Sequence, residues 1–105
     1  MAKPKLVLTA NPTFKFKVPV PVAGAAAVPV EFTFKHRSKD DFQEWVGAIA
    51  DKDDVVLIQE VASAWELDEP FDAEHITQMT QNYIGSARAV IETYIAQQTA
   101  AKLGN

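Results

Sequence analysis

The sequence predicts an α+β fold in a single domain: an N-terminal antiparallel β-hairpin followed by a bundle of about four helices. Three observations predict it. Apolar residues recur at every second position through residues 13–22 and again through 28–36. From Ser38 onward the spacing changes to three and four, the period of a helix face. Acidic, glycine- or proline-marked breaks then cut that second part into separate segments. A chain of 105 residues is long enough for one modest core. Residues 1–37 form an arm and hairpin, 38–102 the helical part and 103–105 a tail.

Residues 1–12 contain Pro4, Asn11 and Pro12 and read as an extended arm around Leu6, Val7 and Leu8, with room for a short edge strand. In the first alternating run Phe14, Phe16, Val18, Val20 and Val22 make one apolar face, while lysines and prolines make the other. Pro19 and Pro21 cannot donate to a ladder, so this strand belongs at a sheet edge or outside a regular sheet. The second run sets Val28, Val30, Phe32 and Phe34 against Pro29, Glu31, Thr33 and Lys35. The two runs pair as a hairpin. The Ala23-Gly24-Ala25-Ala26-Ala27 connection is longer than a two-residue turn and has small side chains, which predicts a mobile tip. An apolar tip of that kind makes Val20, Val22 and Val28 candidate protein-binding residues.

Ser38 is a good N-cap, and Asp40 and Asp41 suit the positive end of the helix it starts. Phe42, Trp45, Val46 and Ile49 give that helix its apolar face over residues 38–50. After the Asp51-Lys52-Asp53-Asp54 interruption, a second helix is predicted over residues 54–65, with Val55, Ile58, Val61, Ala62 and Trp65 inward. Pro70 disfavours helical conformation at Glu69 and ends this part. Asp72 caps a third helix with Ile76, Met79, Thr80 and Tyr83 along one face. Gly85 lets the chain turn into a fourth helix over residues 86–102, with Ala87, Val90, Ile91, Tyr94 and Ile95 inward.

Composition narrows the function by exclusion. A hydrophobic fraction of 48% and a charged fraction of 23% fit a folded chain rather than a disordered one. No segment approaches the roughly 20 apolar residues of a membrane span, and the N-terminus lacks a signal-peptide core. With no cysteine there is no disulfide, thiolate metal site or cysteine nucleophile, which is compatible with a reducing cytoplasm. The net charge of −4 argues against general nucleic-acid binding. Its distribution is uneven: residues 1–37 carry six basic groups and one acid, whereas residues 38–105 carry four basic groups and thirteen acids. Opposite fields on one chain favour self-association or an oppositely charged partner.

Catalytic and metal-binding patterns fail one by one. His36 and His75 lie on different predicted elements, and neither has a second histidine at helical spacing. Counted as a calcium loop from Asp51, the glycine position holds Val56 and the closing acid position holds Ala62. Glu66, Asp68 and Glu69 form a further acidic cluster with no marker of a cleft. The serines lack a nucleophile-elbow context, and the 4 glycines form no phosphate-binding loop. No enzyme, cofactor or metal is expected, so the chain is read as a binding protein. Of its aromatics, Trp65 and Phe71 bracket an acidic turn and are the candidate interface anchors.

Several stretches, in this order and spacing, carry a family likeness: Glu31-Phe32-Thr33-Phe34-Lys35-His36, Asp41-Phe42 with Trp45, Trp65-Glu66-Leu67-Asp68-Glu69-Pro70-Phe71, and Tyr83-Ile84-Gly85-Ser86-Ala87-Arg88 continuing to Tyr94. With the ending Lys102-Leu103-Gly104-Asn105, they make the chain resemble the small tail assembly chaperones of long-tailed, HK97-like bacteriophages. The resemblance implies a protein needed to build the tail but absent from the virion. It would coat the tape measure protein, bring tail tube proteins to it, self-associate as a homo-oligomer and work in the host cell cytoplasm. It also implies a translational frameshift near the end of the gene, for which Leu103-Gly104-Asn105 could be encoded by CTG GGA AAC, a slippery sequence. Alternatives are a minor structural protein of the tail or head–tail connector, or an adaptor domain unrelated to phage.

Overall fold

The computed structural model of the protein describes residues 6–100. Two long strands, β1 (Thr13–Val22) and β2 (Ala25–Lys35), pair antiparallel from Thr13 opposite Lys35 to Val20 opposite Val28. Four helices follow, α1 (Lys39–Gly47), α2 (Asp54–Val61), α3 (Ala73–Asn82) and α4 (Ser86–Thr99), with a short 3-10 turn at Ile49–Asp51. A third strand, β3 (Ala62–Trp65), joins the far side of β2, so the sheet order is β1-β2-β3. The fold is α+β, and β1 lies at the sheet edge where its prolines require it.

Pro19 stands opposite Pro29 in the ladder. Neither residue has a backbone N–H, so they fit only at a non-hydrogen-bonded pair. Each ring then removes a donor from an outer edge of the hairpin, which blunts pairing with other strands there.

The hairpin turn is tighter than its sequence predicted. Val22 pairs with Ala25, leaving only Ala23 and Gly24 in the turn. Gly24 has φ of +75°, a conformation open to glycine that lets two residues reverse the chain. The surplus alanine length is taken up in β2, where the register shifts between the Val20 and Val22 pairs.

The second helix is shorter than its apolar spacing predicted. It ends at Val61, and Ala62 and Trp65 are buried from a strand instead. The cause is tertiary: beyond β1 the backbone of β2 has a free edge, and β3 satisfies it by pairing with Phe32, Thr33 and Phe34. Trp65 also gains an edge-on contact with Phe32, with ring centroids 5.9 Å apart.

Caps fix the helix starts. Ser38 accepts from the Asp41 N–H at 3.2 Å, Asp53 from Val56 at 3.0 Å and Asp72 from His75 at 2.9 Å. The helices cover one face of the sheet. Val18, Val30, Phe32 and Phe34 meet Ile58, Val61, Ile76 and Val90 in a single core. Tyr94 is fully buried, with its ring among those of Phe14, Phe34, Phe42 and Trp45. The described part of the N-terminal arm forms no strand, and the Pro12 carbonyl accepts from the His36 N–H at 2.9 Å. The frameshift residues Leu103, Gly104 and Asn105 lie outside the described residues.

Candidate protein-binding surfaces

Trp65 ends β3, and its indole Nε1 donates to the Glu69 carbonyl at 2.7 Å. That bond draws the acidic turn back over the ring. Phe71 then packs edge-on against Trp65 with centroids 5.1 Å apart, so the turn is held from both sides. Beside it the end of α3 presents Met79, followed by Tyr83. Together Trp65, Leu67, Met79 and Tyr83 line a groove of about 350 Å³, with Glu69 and His75 among its polar members. Its size and apolar lining suit a peptide segment or small apolar group.

His75 is fixed beside this groove. Its backbone N–H and ring Nδ1 both meet Asp72 Oδ1, the ring at 2.7 Å. The backbone N–H of His75 and then its ring hold the Asp72 carboxyl below the ordinary carboxylate value.

A second apolar surface lies at the far end of the hairpin. The junction between α3 and α4 rests against it: a Cβ added at Gly85 would stand 3.2 Å from Pro21 Cγ. Ile84, next in the chain, is 89% exposed, and Val28 is 50% exposed. Val22 is half-buried in the same part of the hairpin, whereas Val20, at 5% exposure, faces the core. Val20 therefore supports this end from beneath instead of presenting a free contact. The junction connects the two surfaces, because Tyr83 lines the groove and Gly85 touches the hairpin.

A further cleft is lined in part by Arg37, Trp45, Lys52 and Glu60, whose side chains are engaged within the protein. Glu60 takes hydrogen bonds from Lys52 at 2.9 Å and from Trp45 Nε1 at 3.0 Å. Arg37 sits over the Trp45 ring at 5.3 Å and donates to the Tyr94 hydroxyl. This cluster joins α1, α2 and α4.

The structure thus brings Trp65 into a groove and places Phe71 behind it, half-buried. Val20, Val22 and Val28 lie elsewhere, none of them lining the groove. Sequence reasoning missed Leu67, Tyr83 and Ile84 as surface residues, whereas Met79 is buried, as its place on the inner face of α3 predicted. Tyr83 was expected to face inward on α3, yet the helix ends at Asn82, and Tyr83 departs from it with φ −124° and ψ 87°. The signal was present in three consecutive residues, Tyr83-Ile84-Gly85, which put apolar side chains into a junction no helix could bury.

Residues 1–105 match the family model of the phage tail assembly chaperones. The chain belongs to that family. It matches no curated protein and no solved structure at a significant level. Assembly chaperones are not a family of enzymes, and membership places this protein's action in the host during tail assembly, in contact with tail proteins. Among the described residues no helix is long and apolar enough to cross a membrane, and no group of three or more His, Asp or Glu side chains could hold a metal ion.

Proposed function

We propose that this chaperone binds the tape measure protein, keeps it soluble in the host cytoplasm and recruits tail tube subunits to it, then leaves before the virion is complete. The supporting observation is that Val28 on the hairpin and Ile84 on the α3–α4 junction that rests against the hairpin are both exposed, with Val22 half-buried in the same part of the hairpin. Large exposed apolar side chains gathered on one part of a fold are the material of a protein contact. Trp65, backed by Phe71, offers a second anchor beside the α3–α4 junction.

The test is co-expression with the cognate tape measure protein. With the wild-type chaperone the tape measure protein stays in the soluble fraction. With the Val28→Ser, Ile84→Ser double variant, it shifts to the pellet while the chaperone keeps its helical circular dichroism. A tape measure protein equally soluble with or without the chaperone would remove the reading. Finding the chain in purified virions would make it a structural protein instead.

A further inference from the structure

We propose that the groove lined by Trp65, Leu67, Met79 and Tyr83 receives the Leu6-Val7-Leu8 arm of a second copy of this chain. The inference does not depend on the tape measure reading, because it uses neither Val28 nor Ile84.

The arm needs a cover. Leu6, Val7 and Leu8 are 81%, 75% and 92% exposed, so three consecutive apolar side chains have no shelter in their own chain. Burying even part of them is favourable in proportion to the apolar area removed from water. The groove supplies apolar lining of matching character in about 350 Å³.

Charge selects the pairing. In the sequence Lys3 and Lys5 immediately precede the apolar triplet. Across the groove's turn stand Glu66, Asp68 and Glu69, all exposed, and none makes an ion pair among the described residues. A basic, apolar arm therefore meets an acidic, apolar groove. Complementary fields of this kind fix partner and register more than they add raw affinity. They also give the uneven charge of the two halves of the chain a use, since the basic end of one copy meets the acidic part of the next.

Position favours exchange between copies. The arm departs at Pro12, which is tied to His36 and so to the end of the sheet away from the hairpin turn. The groove lies across β2 from β1, beside β3. In the protein's own chain the arm stays out of it, as the exposure of all three residues records. Arm and groove are different surfaces, so each copy keeps one of each, and association propagates or closes by reciprocal exchange.

Two charge-swapped full-length variants test this by sedimentation velocity. The first is Lys3→Glu with Lys5→Glu, and the second is Glu66→Lys with Glu69→Lys. The backbone bonds of Glu66 and Glu69, to Glu31 and Trp65, are untouched by these changes. Each variant alone carries like charge on arm and groove and is expected to stay monomeric where the wild type associates. Mixed in equal amounts, the acidic arm of the first fits the basic groove of the second, and the reverse pair is natural, so association returns. A third variant, Leu6→Ser, Val7→Ser, Leu8→Ser, alters only exposed side chains and is expected to weaken association by about tenfold or more. A wild type that remains monomeric at all concentrations overturns the proposal, as does a mixture that stays monomeric. So does a serine-arm variant that associates like the wild type, or an arm protected from exchange within a monomer.

Discussion

Tyr94 on α4 donates its hydroxyl hydrogen to the Lys35 carbonyl at 2.8 Å and thereby fastens the last helix to the end of β2. The same oxygen accepts from Arg37 Nη1 at 3.1 Å, so one buried atom satisfies two partners from the strand end and the chain just after it. Replacing Tyr94 by Phe keeps the ring among Phe34, Phe42 and Trp45 but leaves the carbonyl and one guanidinium N–H unpaired. The expected loss is about 1–2 kcal/mol, read from the urea midpoint with an unchanged slope. A loss near zero would show that the Lys35 carbonyl reaches water unaided.

Glu60 should make stability depend on acid pH. The hydrogen bond from Lys52 holds its carboxyl below the ordinary value of 4.5, partial burial opposes this, and the Trp45 bond and the nearby Arg37 charge add to the lowering. A carboxyl whose value is lowered by folding stabilises the folded state above its unfolded value, and that contribution is lost as pH falls through the lowered one. The wild type is therefore expected to exceed Glu60→Gln in urea midpoint at neutral pH, with the gap shrinking below pH 4.5. A gap that stays constant from neutral to acid pH would assign the difference to shape or hydrogen bonding instead of charge.

Gly85 is required by closeness, not by conformation. Its φ of −84° is open to any residue, but an added Cβ would meet Pro21 Cγ at 3.2 Å and Cβ at 3.5 Å. Gly85→Ala gains several tenths of a kcal/mol from the unfolded chain and loses more to crowding against a stiff ring, for a net destabilisation of about 1 kcal/mol. Pro21→Ala should relieve the crowding, so a double-mutant cycle is expected to show coupling between the two sites. Additive effects would mean that the hairpin end moves freely away from the junction.

The sequence made the hairpin, the edge position of β1 and the starts of the first three helices legible, because each depends on local chemistry: alternation, missing N–H groups and the Ser38, Asp53 and Asp72 region caps. What stayed hidden depended on distant partners. Residues 54–65 keep a helical apolar spacing to their end, and only the free edge of β2 explains why Ala62–Trp65 leave the helix. The two-residue turn was obscured because five small residues look like loop, while the left-handed state of Gly24 decides it. Trp65 stood out as a candidate anchor because it borders an acidic turn. Its groove did not, since Leu67 from the acidic turn, Met79 from α3 and Tyr83 from just past the helix end line it together only after folding.

Val20 and Val28 face each other across the hairpin, yet serine should affect them to very different extents. Val20 is 5% exposed and packs in the core, so Val20→Ser removes apolar contacts and buries a hydroxyl without a designed partner, for an expected loss of about 2–3 kcal/mol. Val28 is 50% exposed, and Val28→Ser is expected to change stability by no more than about 0.5 kcal/mol. Urea denaturation of each single variant separates a folding effect from a contact effect. If Val28→Ser keeps the wild-type midpoint but fails to hold the tape measure protein in solution, the hairpin end is a contact surface. If the midpoint falls as far as in Val20→Ser, Val28 belongs to the core, and any loss of partner binding follows from unfolding.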